Sequence, residues 1–132
     1  MMSKRAKNAA RILQVQVQLK RDAELRLMRA SAETRRLDAE EIEMVSAMGR
    51  DDAAGLTLAQ TGGPRLRSLL REQQRAAQET ARCEARFKAI STQTVCVERL
   101  YQAVTRADRA DAEKKILEEM VEQEWARATS LP

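Results

Sequence analysis

The helix-breaking residues of this chain are confined to one place. Its four glycines are Gly49, Gly55, Gly62 and Gly63, and the only proline before the terminal Pro132 is Pro64. All of them fall between Gly49 and Pro64, just short of the midpoint. The stretches on either side are built from Ala, Leu, Arg, Glu, Gln and Met, the residues that lose least on entering a helix. The chain is therefore expected to form two long helices joined at one break. A thin helical hairpin offers no deep pocket, which favours a mechanical or adaptor role over a catalytic one.

Composition points the same way. Charged residues make up 33% of the chain and aromatic residues 2%, the latter being Phe87, Tyr101 and Trp125. Much of the 43% apolar share is alanine, which buries little area. A compact core draws on many large side chains, whereas a coiled-coil seam needs only a narrow apolar stripe. The expected fold is all-α: a long antiparallel two-helix coiled-coil hairpin forming one domain over residues 1–132. Ser3 is a plausible N-cap. Helix 1 is expected at about 4–48, a loosely ordered connecting tip at 49–63, and helix 2 at about 64–128.

Net charge is only +4, from 24 basic and 20 acidic residues, so non-specific attraction to nucleic acid should be weak. Its distribution is more informative. The start holds Lys4, Arg5, Lys7 and Arg11 and no acid, while the end holds Glu113, Glu118, Glu119, Glu122 and Glu124. Folded back antiparallel, these two ends are expected to lie side by side with opposite charge.

The apolar stripe of helix 1 is read as Ile12, Leu19, Ala23, Leu27, Ala30, Leu37, Met44 and Met48. The step from Leu19 through Ala23 to Leu27 breaks heptad spacing, a local stutter. Val15 and Val17 fall off this stripe and suit either a docking surface or a wider core. In helix 2 the clearest register is Phe87, Ile90, Thr94, Val97, Tyr101 and Val104, preceded by Leu66, Leu69, Leu70, Gln73, Ala77 and Thr80. After Val104 it weakens through Ala107, Ala110 and Ala112 and resumes at Ile116, Leu117, Met120 and Val121. At the tip, Asp51 and Asp52 suit a turn or the start of a short helical piece. Gly62-Gly63 permits positive φ, and Pro64 fits the first turn of helix 2. Leu56 and Leu58 are expected to tuck back as a cap, with a partner contact as the alternative.

Cys83 and Cys96 stand roughly 20 Å apart along one helix at 1.5 Å per residue, too far to pair, and read as two buried thiols in a reducing cytoplasm. No run of apolar residues suits a signal peptide or a membrane span. The chain has no histidine, no Gly-rich phosphate loop and no nucleophile elbow, so neither catalysis nor a cofactor or metal site is expected. Arg65, Arg67, Arg71, Arg75, Arg82 and Arg86 make the first half of helix 2 basic. Glu72, Glu79 and Glu84 interrupt the run and stacking aromatics are missing, so a nucleic-acid-binding arm is a weaker reading than an exposed charged face. Protein–protein contact remains, through the termini, the shaft or the tip. A generic scaffold that pairs into a homodimeric bundle is the competing reading.

Several stretches carry a family likeness. The segment Ala54-Gly-Leu-Thr-Leu-Ala-Gln60, followed by Leu66, Leu69 and Leu70, is similar to the segment that opens the second long helix of the FliJ family. The close, Asp111-Ala-Glu-Lys-Lys-Ile-Leu-Glu-Glu-Met-Val-Glu-Gln123, is similar to that family's acidic-Lys-Lys ending. In overall form too the chain resembles FliJ-type flagellar export proteins and their YscO-type counterparts in type III secretion. Gly62-Gly63-Pro64 departs from the pattern, and Arg127 alone remains of the family's short basic tail.

The resemblance implies a non-enzymatic stalk or adaptor of a flagellar or virulence-type export apparatus. The hairpin would insert its paired termini into a hexameric export ATPase, promote ring assembly and couple hydrolysis to export. Partners implied are that ATPase, the cytoplasmic domain of the export gate and substrate chaperones, with the protein a monomer or weakly self-associating. Its place would be cytoplasmic, peripheral to the inner-membrane export apparatus. On the termini the binding residues expected are Lys4, Arg5, Lys7, Arg11, Glu118, Glu119 and Glu122; on the shaft, facing the gate, Arg67, Arg71, Arg75 and Arg82.

Overall fold

A computed structural model describes residues 2–130, and these are all-helical in three helices: α1 (Lys4–Met48), α2 (Ala53–Thr61) and α3 (Gly63–Ser130). The long helices α1 and α3 pack against each other. Their contacts fall into two compact units, one combining residues up to Gln18 with α3 from Thr92 onward, the other spanning Leu19–Ser91.

Both long helices bury their residues at strictly alternating steps of three and four. In α1 the buried or half-buried positions include Ala6, Ala9, Leu13, Gln16, Lys20, Ala23, Leu27, Ala30, Thr34, Leu37, Glu41, Met44 and Met48. In α3, continuing from Gly62 at the end of α2, they include Leu66, Leu69, Gln73, Ala76, Thr80, Cys83, Phe87, Ile90, Thr94, Val97, Tyr101, Val104 and Asp108. The expected stutter in α1 is absent. Lys20 rather than Leu19 holds the stripe position and is half-buried, as a lysine can be when its aliphatic stem is covered and its ammonium stays in water. Ile12 and Leu19 are exposed, at 50% and 40%. Val15 is exposed and Val17 half-buried. In α3, Ala76 rather than Ala77 is buried, and Leu70 faces out. A large apolar side chain beside the stripe misleads the eye; the period decides.

In the Leu19–Ser91 unit the two helices run antiparallel, as the falling partner numbers show. Thr34 Oγ1 meets Thr80 Oγ1 at 3.1 Å, and Gln73 Nε2 donates to Glu41 Oε2 at 2.5 Å and to Asp38 Oδ1 at 3.1 Å. Near the turn Arg65 pairs with Glu40 and, at 3.4 Å, with Glu72. Leu37, Leu69 and Ala76 form the buried core, with Met44 packed against it. So small an apolar core leaves the polar pairs to specify the register, since a slip of one turn would strand them.

The connecting stretch, expected to be loosely ordered, contains α2. Asp52 caps it, with Oδ1 accepting from the Gly55 amide at 2.7 Å, and Arg50 Nη2 holds the other carboxylate oxygen at 2.9 Å. Leu58 is half-buried, but Leu56 is 61% exposed and does not serve as a cap. No glycine has positive φ. The reason for glycine is instead close approach. A Cβ on Gly62 would stand 2.4 Å from Met48 Cε and 2.5 Å from the Leu58 carbonyl oxygen; one on Gly55 would stand 2.4 Å from the Arg50 oxygen. Gly62 takes φ −81° and ψ −6°, so its amide still bonds to Leu58 O and its carbonyl to the Leu66 amide while the chain bends between α2 and α3.

Cys83 is buried on the α3 stripe; Cys96, two positions past Thr94, faces solvent, against the expectation of two buried thiols. No described helix is long and apolar enough to cross a membrane.

Candidate functional site

In the unit formed by the first turns of α1 and the end of α3, register decides which surfaces are available. Ser3 caps α1 with its hydroxyl, which accepts from the Ala6 amide at 3.1 Å. The same hydroxyl and the Ser3 amide both donate to Asp108 Oδ2, at 2.7 and 3.1 Å. Further in, Gln16 Nε2 donates to Gln93 Oε1 at 3.3 Å. The helices are again antiparallel, and the first turn of α1 stands level with Asp108.

The basic start therefore does not lie beside the acidic end, as the charge pattern had suggested. Glu118 is roughly 15 Å farther along α3 than Asp108, and Glu122 roughly 21 Å, at 1.5 Å per residue. The cause is unequal length. α1, with 45 residues to the 68 of α3, begins level with Asp108, so α3 runs on beyond it before reaching its glutamates. Every described residue from Arg109 onward is exposed. This extension stays helical without a partner because it propagates from a packed segment, so it carries no nucleation cost, and because Glu, Lys, Leu, Met and Ala favour helix.

Where α1 begins, a shallow recess of about 480 Å³ opens, lined by Met2, Ser3, Asp108, Asp111, Lys114, Lys115 and Glu118 among others. Of the expected terminal residues only Glu118 reaches it. Lys4, Arg5, Lys7 and Arg11 are exposed around the first turns of α1, and Glu119 and Glu122 are exposed on the extension. Arg67, Arg71, Arg75 and Arg82 lie in the other unit, exposed on the side of α3 away from its stripe, and Arg82 Nη1 is 3.1 Å from Glu79 Oε2.

The extension has two unlike sides. Continuing the spacing of the stripe past Asp108 gives Asp111, Lys115, Glu118 and Glu122, so this side is polar and could not lengthen the α1–α3 seam. At about 100° per residue, Ile116, Leu117, Met120 and Val121 fall on the opposite side. They are 57%, 61%, 55% and 66% exposed, and Trp125, which the helical spacing places in line with Glu118 and Glu122, is 70% exposed. These four residues do not resume the stripe, as expected from the sequence, but form a separate face. Angular position, which spacing alone gives, was the signal available to separate the two.

Elsewhere, a groove of about 600 Å³ on the Leu19–Ser91 unit is lined by Leu27, Ala81, Glu84, Ala85, Phe87, Lys88 and Ser91, and the Ser91 hydroxyl is buried without a partner. Among the described residues no cluster of His, Cys, Asp or Glu could hold a metal ion. No family model, curated protein or solved structure matches the chain.

Proposed function

We propose that the protein is a non-enzymatic stalk or adaptor of a type III export apparatus, flagellar or virulence-type, built as a two-stranded antiparallel coiled coil. The unbroken three–four spacing of both long helices carries the coiled-coil reading, because knobs at such positions keep one seam facing the partner helix. The resemblance of the central segment and of Asp111–Gln123 to FliJ-type proteins carries the export reading. Shallow, open grooves support an adaptor better than an enzyme, which needs reacting groups held in a fixed, water-shielded geometry.

In this reading the α3 extension leads into the lumen of the hexameric ATPase with Glu118, Glu119 and Glu122 on one side. The basic turns of α1, with Lys4, Arg5, Lys7 and Arg11, follow about three helical turns behind. Opposite charges presented at two depths would engage the ring by electrostatic complementarity, which speeds encounter and fixes orientation more than it adds affinity. Arg67, Arg71, Arg75 and Arg82 would face the export gate.

The test is charge reversal. Arg5→Glu with Arg11→Glu is expected to weaken binding to the cognate export ATPase while circular dichroism shows unchanged helicity. Unaltered affinity in a pull-down with intact helicity would sink the proposal.

A further inference from the structure

In the Leu19–Ser91 unit, the side of α3 turned away from α1 carries one sign of charge. With the stripe as reference, Arg67, Arg71, Arg75, Arg82 and Lys88 fall on that side, and all are exposed. The outward positions between them hold Ser, Gln and Ala, and no carboxylate. Glu72, Glu79 and Glu84, which interrupt the basic run in sequence, stand at the margins of the strip instead. Two of them are already engaged, Glu72 with Arg65 at 3.4 Å and Glu79 with Arg82 at 3.1 Å. Arg67, Arg71 and Arg75 make no ion pair among the described residues.

The outward side of α1 in the same unit is a built-in comparison. It mixes Arg29 and Arg35 with Asp22 and Glu43, and it exposes Met28 and Ile42. A single-sign strip in a chain whose net charge is only +4 is a local field, and such fields steer and orient charged partners.

We propose that this strip docks an acidic helix of another protein. From Arg67 to Lys88 it runs for roughly 32 Å at 1.5 Å per residue, and it presents Arg67, Arg71 and Arg75 about once per turn. A helix with carboxylates along one side returns them at the same interval, so the two match along the whole strip. A nucleic-acid duplex laid alongside would bring each strand past only once in about 34 Å, leaving most of these cations over a groove. A single strand binds by stacking on aromatic side chains, and Phe87, the one aromatic residue of this unit, lies on the stripe facing α1. No large apolar side chain lies on the strip, so the contact draws on charge: quick to form, weak and sensitive to salt. In the export reading the same arginines face the gate, but the inference does not depend on that reading.

Fluorescence anisotropy of the full chain with a labelled synthetic peptide tests it, with no export protein present. The probe is an alanine-based helix of about 25 residues, long enough to span the strip, with glutamates along one side. Its control has the same composition with the glutamates spread around the helix. The probe should bind at low salt and lose affinity as salt is added, and the control should bind at least about tenfold less tightly. Arg71→Glu with Arg75→Glu should abolish binding of the probe, with helicity unchanged in circular dichroism. Arg29→Glu with Arg35→Glu makes the same change in net charge on the outward side of α1 and should leave affinity within about threefold. Absence of binding at low salt overturns the proposal, as does equal binding of the two peptides or equal loss in the two variants. Tighter binding of a DNA duplex of the same length would put nucleic acid on the strip and overturn it too. So would self-association of the wild-type chain in sedimentation that Arg71→Glu with Arg75→Glu removes, since a second copy would then be the occupant.

Discussion

Ser3 and Asp108, 105 residues apart, form a capping pair in which the α3 carboxylate receives both the hydroxyl and the amide that open α1. The arrangement answers two needs together. The first amides of a helix lack partners, and a carboxylate there is favoured by the helix dipole. It also sets where pairing stops, and so where the α3 extension begins. Asp108→Ala should therefore cost about 1 kcal/mol, the usual effect of losing a cap. Hydrogen exchange should show faster opening in the first turns of α1 and no change in the Leu19–Ser91 unit. Uniformly faster exchange along α1 would mean that the pair does not act locally.

Gly62 and Gly63 make an internal control. A methyl group on Gly62 would press into Met48 Cε and the Leu58 oxygen, whereas one on Gly63 meets nothing within 4 Å. Gly62→Ala should destabilise by about 1–3 kcal/mol, in the range of overpacking a filled site. Gly63→Ala should be neutral or stabilising by up to about 1 kcal/mol, because alanine loses less entropy in a helix. Thermal unfolding followed by circular dichroism separates the two, and equal effects would show that Met48 moves aside freely.

These adjacent glycines show what the sequence could and could not convey. Their clustering with Pro64 located the break between the long helices, because helix propensity is local. Why Gly62 is required was hidden, because it depends on Met44 and Met48 arriving from another helix. Likewise the α3 stripe from Phe87 to Val104 was legible, its spacing being regular and its members large. The start of α1 misled because its seam residues are Ala6, Ala9, Gln16 and Lys20, while Ile12 and Leu19 lie outside. The separation of Arg5 from Glu118 was hidden in plain view: the unequal lengths of the two helices already implied it. Register, and not charge complementarity, decides which residues of the two helices stand level.

The two cysteines should differ in reactivity. Cys83 is buried, and its thiol is pushed above the ordinary range first by that burial and then by its hydrogen bond to Glu79 Oε1, 3.6 Å away. Thiolate is the reactive form, so Cys96 should react first with a disulfide reagent and Cys83 slowly, rising to the rate of Cys96 in denaturant. In the unfolded chain Cys83 ionises at its ordinary value while the folded chain keeps its proton. Its contribution is thus fully present below the ordinary thiol range, and stability falls as pH rises through and beyond it. Cys83→Ala should flatten that alkaline loss. Equal labelling rates in the native protein would contradict this account.

Trp125, the only tryptophan, is 70% exposed on the α3 extension, where it reports on what covers that stretch of the helix. In dilute solution its emission should be that of a water-exposed indole, readily quenched by acrylamide. Denaturant should then alter it far less than it alters the circular dichroism, since unfolding leaves the indole's surroundings nearly unchanged. A blue-shifted, quencher-resistant Trp125 in the dilute chain would mean that the extension is already covered by its own molecule.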